Sequence, residues 1–355
     1  MTWLSRMWTI ASIELQQRVR GAAWYVLLGV FVFIVLLVTV FTTLATTTTD
    51  APGAVLYSLI VYFVLLLGTL VAPALSGTAI NGDREEGTLA TTQVTLVSSS
   101  QLVLGKLLAA WITSLGFLAA ALPFLLFALA LGGSSFGVSV TSILVLALEL
   151  GVVSAAGVGL SGLIRRPLFS VVVTYLVVAG LSIGTLIAFG LGSAVAQEEV
   201  TYEYETVDWA ASGDVIDPET GFPVDVVCRT ETSTYTTPRP DRVWWMLAAN
   251  PYVLLADAVP ARFDRHGSPD DLFGTIKFMV RQAQLAPGDD GWSECDMAAG
   301  VPVPEDRVDA LLDRTTPSWA VGLALHVLLA GGLVAGAISH TRAPARRLPA
   351  GARVA

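Results

Sequence analysis

Long apolar runs broken by short polar stretches dominate the pattern of this 355-residue chain. A helix needs about 20 consecutive apolar residues to cross the hydrocarbon of a bilayer. Six runs reach that length almost without charge: 22–44, 54–80, 107–131, 138–163, 168–195 and 318–338. They predict an all-α polytopic membrane protein with six transmembrane helices. The first run exceeds the apolar core of about 7–15 residues typical of a secretory signal and has no small-residue cleavage pattern after it, so it is expected to stay as an anchor. Ahead of it, "WLSRMWTIASIELQQRVRG" sets Leu4, Met7, Trp8, Ala11, Leu15 and Val19 on one helical face, and 1–21 therefore predicts an amphipathic helix lying on the membrane.

Between 196 and 317 the pattern changes. "TYEYETVDW" alternates with period two and "VDVVCRTETSTY" is rich in β-branched residues, so both predict strands within a mixed α/β domain between the fifth and sixth helices. The stretch 241–260 is apolar and aromatic but too short and too broken to cross. Two readings stay open for it: a helix or re-entrant piece at the interface, with Trp244, Trp245 and Tyr252 at headgroup level, or a core helix of this domain. "APGDDGWSE" carries turn chemistry and predicts an exposed loop.

Composition agrees with a membrane class. The chain is 54% hydrophobic and 14% charged, with a mean hydropathy of +0.67, too apolar for one soluble core. Charge then sets orientation, because short cytoplasmic loops accumulate Lys and Arg. Eleven of the 20 basic residues lie before the first run, between the second and third (Arg84, Lys106), between the fourth and fifth (Arg165, Arg166), and in the 339–355 tail; "TTTTDAPG" and "GGSS" hold none. Both termini are expected in the cytoplasm and 196–317 outside. That outer segment carries 9 basic and 23 acidic residues, a net −14, which argues against nucleic acid as a partner. The basic tail is expected to touch anionic membrane lipids. Arg greatly outnumbers Lys, a composition that points to a GC-rich bacterial genome and hence a bacterial plasma membrane.

Cys228 and Cys295 are the only cysteines, and both fall where oxidation is permitted. A bridge between them would close about 67 residues and stabilise the fold by roughly 4 kcal/mol on the chain-entropy model; two unpaired buried thiols are the alternative. A zinc site does not fit two thiols with His266 as the only nearby imidazole. Glu149 is the one carboxylate deep in a run, where an ionised acid costs about 2.5–3.5 kcal/mol on insertion scales, so it should face protein or a watery path or stay protonated. It is a candidate for a transport or proton-linked role, or for a structural hydrogen bond. His326 in the last run reads as a packing residue. Small residues recur every fourth position at Gly151, Ala155 and Gly159, and at Gly180, Gly184, Ala188 and Gly192, which permits close helix approach within one chain or between two. No zinc-protease motif, metal-ligand cluster or nucleophile elbow occurs, so the chain is not expected to be an enzyme.

One polar interruption stands out. After the second run comes the loop 81–100, with Asp83, Arg84, Glu85 and Glu86 in succession, then Gly87, Thr88 and Leu89, and Val94 further on. Rim charges with small apolar anchors suit docking of a partner. The order "DREEGTLATTQVTLVSSSQLVLGKLLAAW" resembles the signature of type-2 ATP-binding-cassette (ABC) permeases, in which E-R-E-x-G-T-L-E is followed by a T-P-L-S-like turn and then L-G-K. Arg84, Glu85, Gly87, Thr88 and Leu89 match the first part, and Gly105 and Lys106 the last. Asp83, Ala90 and Leu96 depart from it. "ANPYVLLADA" also resembles a family segment ahead of the last span.

The resemblance implies a permease subunit of an ATP-driven exporter of lipidic or amphipathic cargo, working by alternating access. It implies as partners separate cytoplasmic ABC ATPase subunits, which carry ATP and magnesium, and a second permease copy or related permease. Residues 83–89 and Val94 would couple to the ATPase. The chain itself lacks the phosphate-cradling motif, since Ser100 stands where its first glycine would be and Leu107 follows Lys106; Gly105 and Lys106 then read as a membrane boundary, with the lysine snorkelling to headgroups. Two other readings remain: a membrane-anchored receptor or assembly protein acting through its outer domain, and a secondary transporter driven through Glu149.

Overall fold

The computed structural model describes residues 2–46, 52–87, 98–132, 134–216, 218, 221–263, 268–287, 293–298 and 307–341. Six helices are long and apolar enough to cross a membrane. In chain order the first part comprises α1 (Trp3–Arg20), α2 (Ala22–Ala45), α3 (Pro52–Ser76), the short α4 (Asn81–Glu85), α5 (Ser99–Ala130), α6 (Phe136–Leu163) and α7 (Pro167–Val195). Their starts are written in the sequence. Thr2 and Ser135 cap α1 and α6, Pro167 opens α7, and Ser98 with Gln101 forms a reciprocal capping box on α5. That box explains why the third span begins at Ser99 and not near 107 as hydropathy predicts: the helix runs on past Lys106, whose charge is neutralised within the fold.

α6 is the axis of the bundle and packs on α3, α5 and α13 (Ser318–His340). Its small residues make the close approach possible. A Cβ at Gly157 would overlap Ser76 of α3, and one at Gly159 would lie 2.7 Å from Leu333 Cβ of α13. Within the four-residue series, Gly159 thus serves packing within the chain, as does Gly151, where a Cβ would lie 3.1 Å from Trp111 Nε1 of α5. In α7 the series does not: Gly180 meets nothing within 4 Å, and only Gly192 faces another segment, at Met246 and Val243. α7 also loosens into a wider π turn at Gly180–Gly184.

The loops sort to two ends, as their basic residues predict. Asn81 bonds to Ile164, and Ser99 to Thr341, so α4, the α6–α7 link and the end of α13 lie together. At the opposite end Gly53 packs on Gly132, and the Leu272 N–H donates to Ser58 Oγ, bringing the 196–317 segment there.

That segment begins with a two-stranded antiparallel hairpin, β1 (Gln197–Val207) and β2 (Cys228–Pro238), in the register Gln197 to Pro238 through Val207 to Cys228. The second strand starts later than the sequence pattern implies. Helices α8 (Trp245–Ala248), α9 (Pro251–Ala258), α10 (Leu272–Gln282), α11 (Glu294–Ala298) and α12 (Arg307–Arg314) follow. Cys228 and Cys295 form a disulfide with Cα atoms 6.1 Å apart, tying the hairpin to α11. The helical part is not a separate lobe, because α9 packs on α6 and α13 while α10 packs on α3. The stretch 241–260 forms α8 and α9, which break at Asn250 and lie beside α13. Trp245 is exposed, whereas Tyr252 is partly covered and stacks on Tyr62 of α3 at 6.2 Å.

Replacing Gly157 with Ala should overpack the α3–α6 seam and cost about 1–3 kcal/mol, read as a lower thermal midpoint in detergent. Ala in place of Gly180, which meets nothing, should leave the midpoint unchanged.

Candidate functional site

At the α1 end, three segments converge on one lysine. Lys106, 2% exposed, pairs with Glu14 of α1 and, at 2.8 Å, with Asp83 of α4. Arg18 lies 4.0 Å from Glu14. The glycine before the lysine makes this contact possible, since a Cβ at Gly105 would stand 2.9 Å from both Ile10 Cβ and the Met7 carbonyl of α1. Gln101 adds a bond to the Trp3 carbonyl at 3.3 Å. These contacts show how Lys106 is held in place of the expected snorkelling. The ammonium is turned into protein between two carboxylates and does not reach headgroups, because pairing relieves the desolvation that snorkelling would otherwise avoid. On α1, Ala11 is buried and Glu14 partly so, while Leu4, Trp8 and Val19 of the apolar face stay exposed.

α4 is fixed from its other side as well. Ser161 Oγ accepts from the Ile80 and Asn81 N–H groups at 2.8 and 3.1 Å, and Asn81 Nδ2 donates to the Ile164 carbonyl at 3.1 Å. The charged run therefore divides. Asp83 points inward to Lys106 and Arg84 is partly covered, whereas Glu85, Glu86 and Gly87 are exposed. Gly87 has φ +74°, a left-handed conformation that closes α4 and that glycine adopts without strain. Thr88, Leu89 and Val94 lie outside the described residues, as do His266 and the tail from 342.

Midway along the bundle, Glu149 of α6 and His326 of α13 meet. Both are 1% exposed, and His326 Nδ1 lies 3.0 Å from each carboxylate oxygen. The other ring nitrogen, Nε2, is 2.9 Å from the Ala249 carbonyl at the break between α8 and α9. A carbonyl only accepts, so Nε2 carries a proton. One further proton lies between Nδ1 and the carboxylate, and the pair is neutral whichever atom holds it. His326 sits eight residues into α13, about 12 Å along it at helical rise, which is how far the α8–α9 break reaches beside that helix. Gly322 admits that break, as a Cβ there would run into the Ala248 carbonyl.

A second buried pair fastens the hairpin end. Asp257 and Arg281 meet at 2.8 Å; Asp257 also accepts from Ser318 Oγ (2.8 Å) and the Trp319 N–H (3.1 Å), and so caps α13. Arg281 Nη1 donates to the Thr315 carbonyl at 2.9 Å. Burial pushes the nearby Lys277 ammonium down from its ordinary value, and its Nζ donates to the Val259 carbonyl at 2.8 Å. At the base of the hairpin Arg239 grips Asp241 with two bonds, of 2.8 and 2.7 Å, which holds that carboxyl below the usual range. Among the described residues no group of three or more metal-ligating side chains occurs.

The sequence singled out Glu149 and His326 separately, 177 positions apart, and nothing local signals that they pair. Glu14, Asp257 and Arg281 escaped it altogether. A signal was present for Glu14, the only acidic residue before Asp50, and for Asp257, a lone acid inside the apolar "VLLADAV". A scan against family models gives no match to this chain, and neither does a search of curated protein sequences.

Asp257→Ala would leave the Arg281 guanidinium buried without its carboxylate, at a cost of about 3–5 kcal/mol, measured as a fall in thermal midpoint. Glu149→Ala should strand His326 Nδ1 and cost about 1–3 kcal/mol, while Glu149→Gln, whose amide can donate to that nitrogen, should stay close to the parent.

Proposed function

We propose that this chain is the membrane-spanning permease subunit of an ATP-driven ABC exporter, with ATP and magnesium held by separate ATPase subunits and a second permease copy or relative completing the path. On this reading the α1 end is cytoplasmic and the hairpin end extracellular, across a bacterial plasma membrane. The observation that carries it is the mounting of Glu85 and Glu86, exposed on a short helix that is locked to α1, α5 and α6. A force applied there reaches three helices at once, which is what a coupling element requires. The ATPase would then shift the populations of inward- and outward-open states by binding one of them better. The cargo class is supported by openings of about 680 and 580 Å³ beside the spanning helices, both lined almost wholly by apolar side chains.

A second reading, a proton-driven carrier, is favoured by the one-proton Glu149–His326 pair. It requires transport that persists without ATP and stops in Glu149→Ala.

Reversing charge at both exposed acids, Glu85→Lys with Glu86→Lys, should weaken association with the ATPase by about tenfold and lower stimulated turnover in proportion. Affinity purification in mild detergent followed by an ATPase assay reads both. Unchanged association and turnover would contradict the assignment.

A further inference from the structure

α7 touches α3 near its start, where Tyr175 Oη donates to the Leu70 carbonyl at 2.7 Å, and meets Met246 and Val243 near its end at Gly192. Midway between them the Asn250 amide ties α7 to the floor through the Ser182 carbonyl and Thr185 Oγ1, and alongside lies the 680 Å³ cavity, walled by α3 and α7 and floored by α8, α9 and α10. The rim is open and apolar, with Leu70, Ile183, Leu186 and Met279 all more than half exposed. The floor is closed, formed by the buried side chains of Leu247, Val253 and Val280.

Three observations define what fits. Most polar groups of the lining are already committed: Thr69 Oγ1 donates to the Leu66 carbonyl, Tyr175 to Leu70, and the Asn250 amide donates to the Ser182 carbonyl and Thr185 Oγ1 while accepting from two backbone N–H groups, which leaves the buried Ser182 hydroxyl as the exception. They leave little to offer a polar ligand, and hydrocarbon costs them nothing. The cavity follows α7 from Tyr175 to Phe189, about 21 Å at 1.5 Å per residue. A single polymethylene chain, about 4–5 Å wide by carbon contact distances, fits along it. Finally, the walls belong to helices built to lie in a bilayer, so the open rim faces acyl chains and the gap has a neighbour ready to restore the dispersion contacts its lining lacks.

We propose that this cavity is a binding site for one acyl chain of a bilayer phospholipid, entering sideways between α3 and α7. The site does not depend on the chain's being a permease, and its test needs neither ATP nor an ATPase. The full-length protein is reconstituted into phosphatidylcholine vesicles doped with phosphatidylglycerol that carries a diazirine on one acyl chain, irradiated, and mapped by peptide mass spectrometry. Every lipid-facing residue is open to label, so the informative positions are the closed floor. The site predicts adducts on Leu247, Val253 or Val280, lost in Ala179→Trp, which fills the gap, with labelling of the exposed Phe33 and Phe41 on α2 unchanged. Adducts confined to exposed residues in the parent protein would overturn it, and so would floor labelling that survives in folded Ala179→Trp. Should that variant not fold, floor labelling of the parent decides the question.

Discussion

Among the described residues, three buried groupings of opposite charge or of acid with imidazole join separate segments of the chain. Lys106 is met by Glu14 and Asp83, Glu149 by His326, and Asp257 by Arg281. An unpaired charge is costly in such surroundings, and losing one member of a buried pair costs more than the pair contributes. Each pair consequently acts as a constraint on which segments may be neighbours. The first joins α1, α4 and α5; the second joins α6 to α13 and, through the Ala249 carbonyl, to the α8–α9 break; the third sets the start of α13.

α13 is the element these constraints fix most fully. Asp257 caps its first turn, His326 and Gly322 hold the tip of the α8–α9 break against its middle, and Ser99 bonds to the Thr341 carbonyl just beyond its last turn. With α3, α5 and α6 it makes a core in which glycines replace side chains at the tightest crossings. α2 and α7 are held more lightly, and the cavity opens beside α7. In the proposed permease, a displacement applied at α4 would enter the tightly packed core through Lys106 and Asn81.

Period and length carried most of this architecture in plain view. Runs of apolar residues marked six spans to within a few positions, except at Ser99, where a capping box and an internally neutralised lysine extend the helix beyond its apolar stretch. The basic residues of alternate loops foretold which loops gather at one end, and the cysteines foretold the bridge that forms. The partners of the buried charges were not legible, because Glu149 and His326, or Asp257 and Ser318, are brought together by packing and by no local pattern. Hydropathy likewise treats Lys106 as a boundary, since it scores one residue at a time and has no knowledge of Glu14. The role of the stretch around Asn250 was legible only as an ambiguity, for an apolar stretch of that length suits an interface and a core equally well.

The functional account rests on the exposed acids of α4 and the hairpin lying on opposite sides of one membrane. Single cysteines at Glu86→Cys and Thr232→Cys, probed in intact and then permeabilised cells with a membrane-impermeant maleimide, test that most directly, because the native cysteines are joined in a disulfide. The account predicts that the hairpin site reacts in intact cells and the α4 site only after permeabilisation. Reaction of both in intact cells, or of neither, would contradict it.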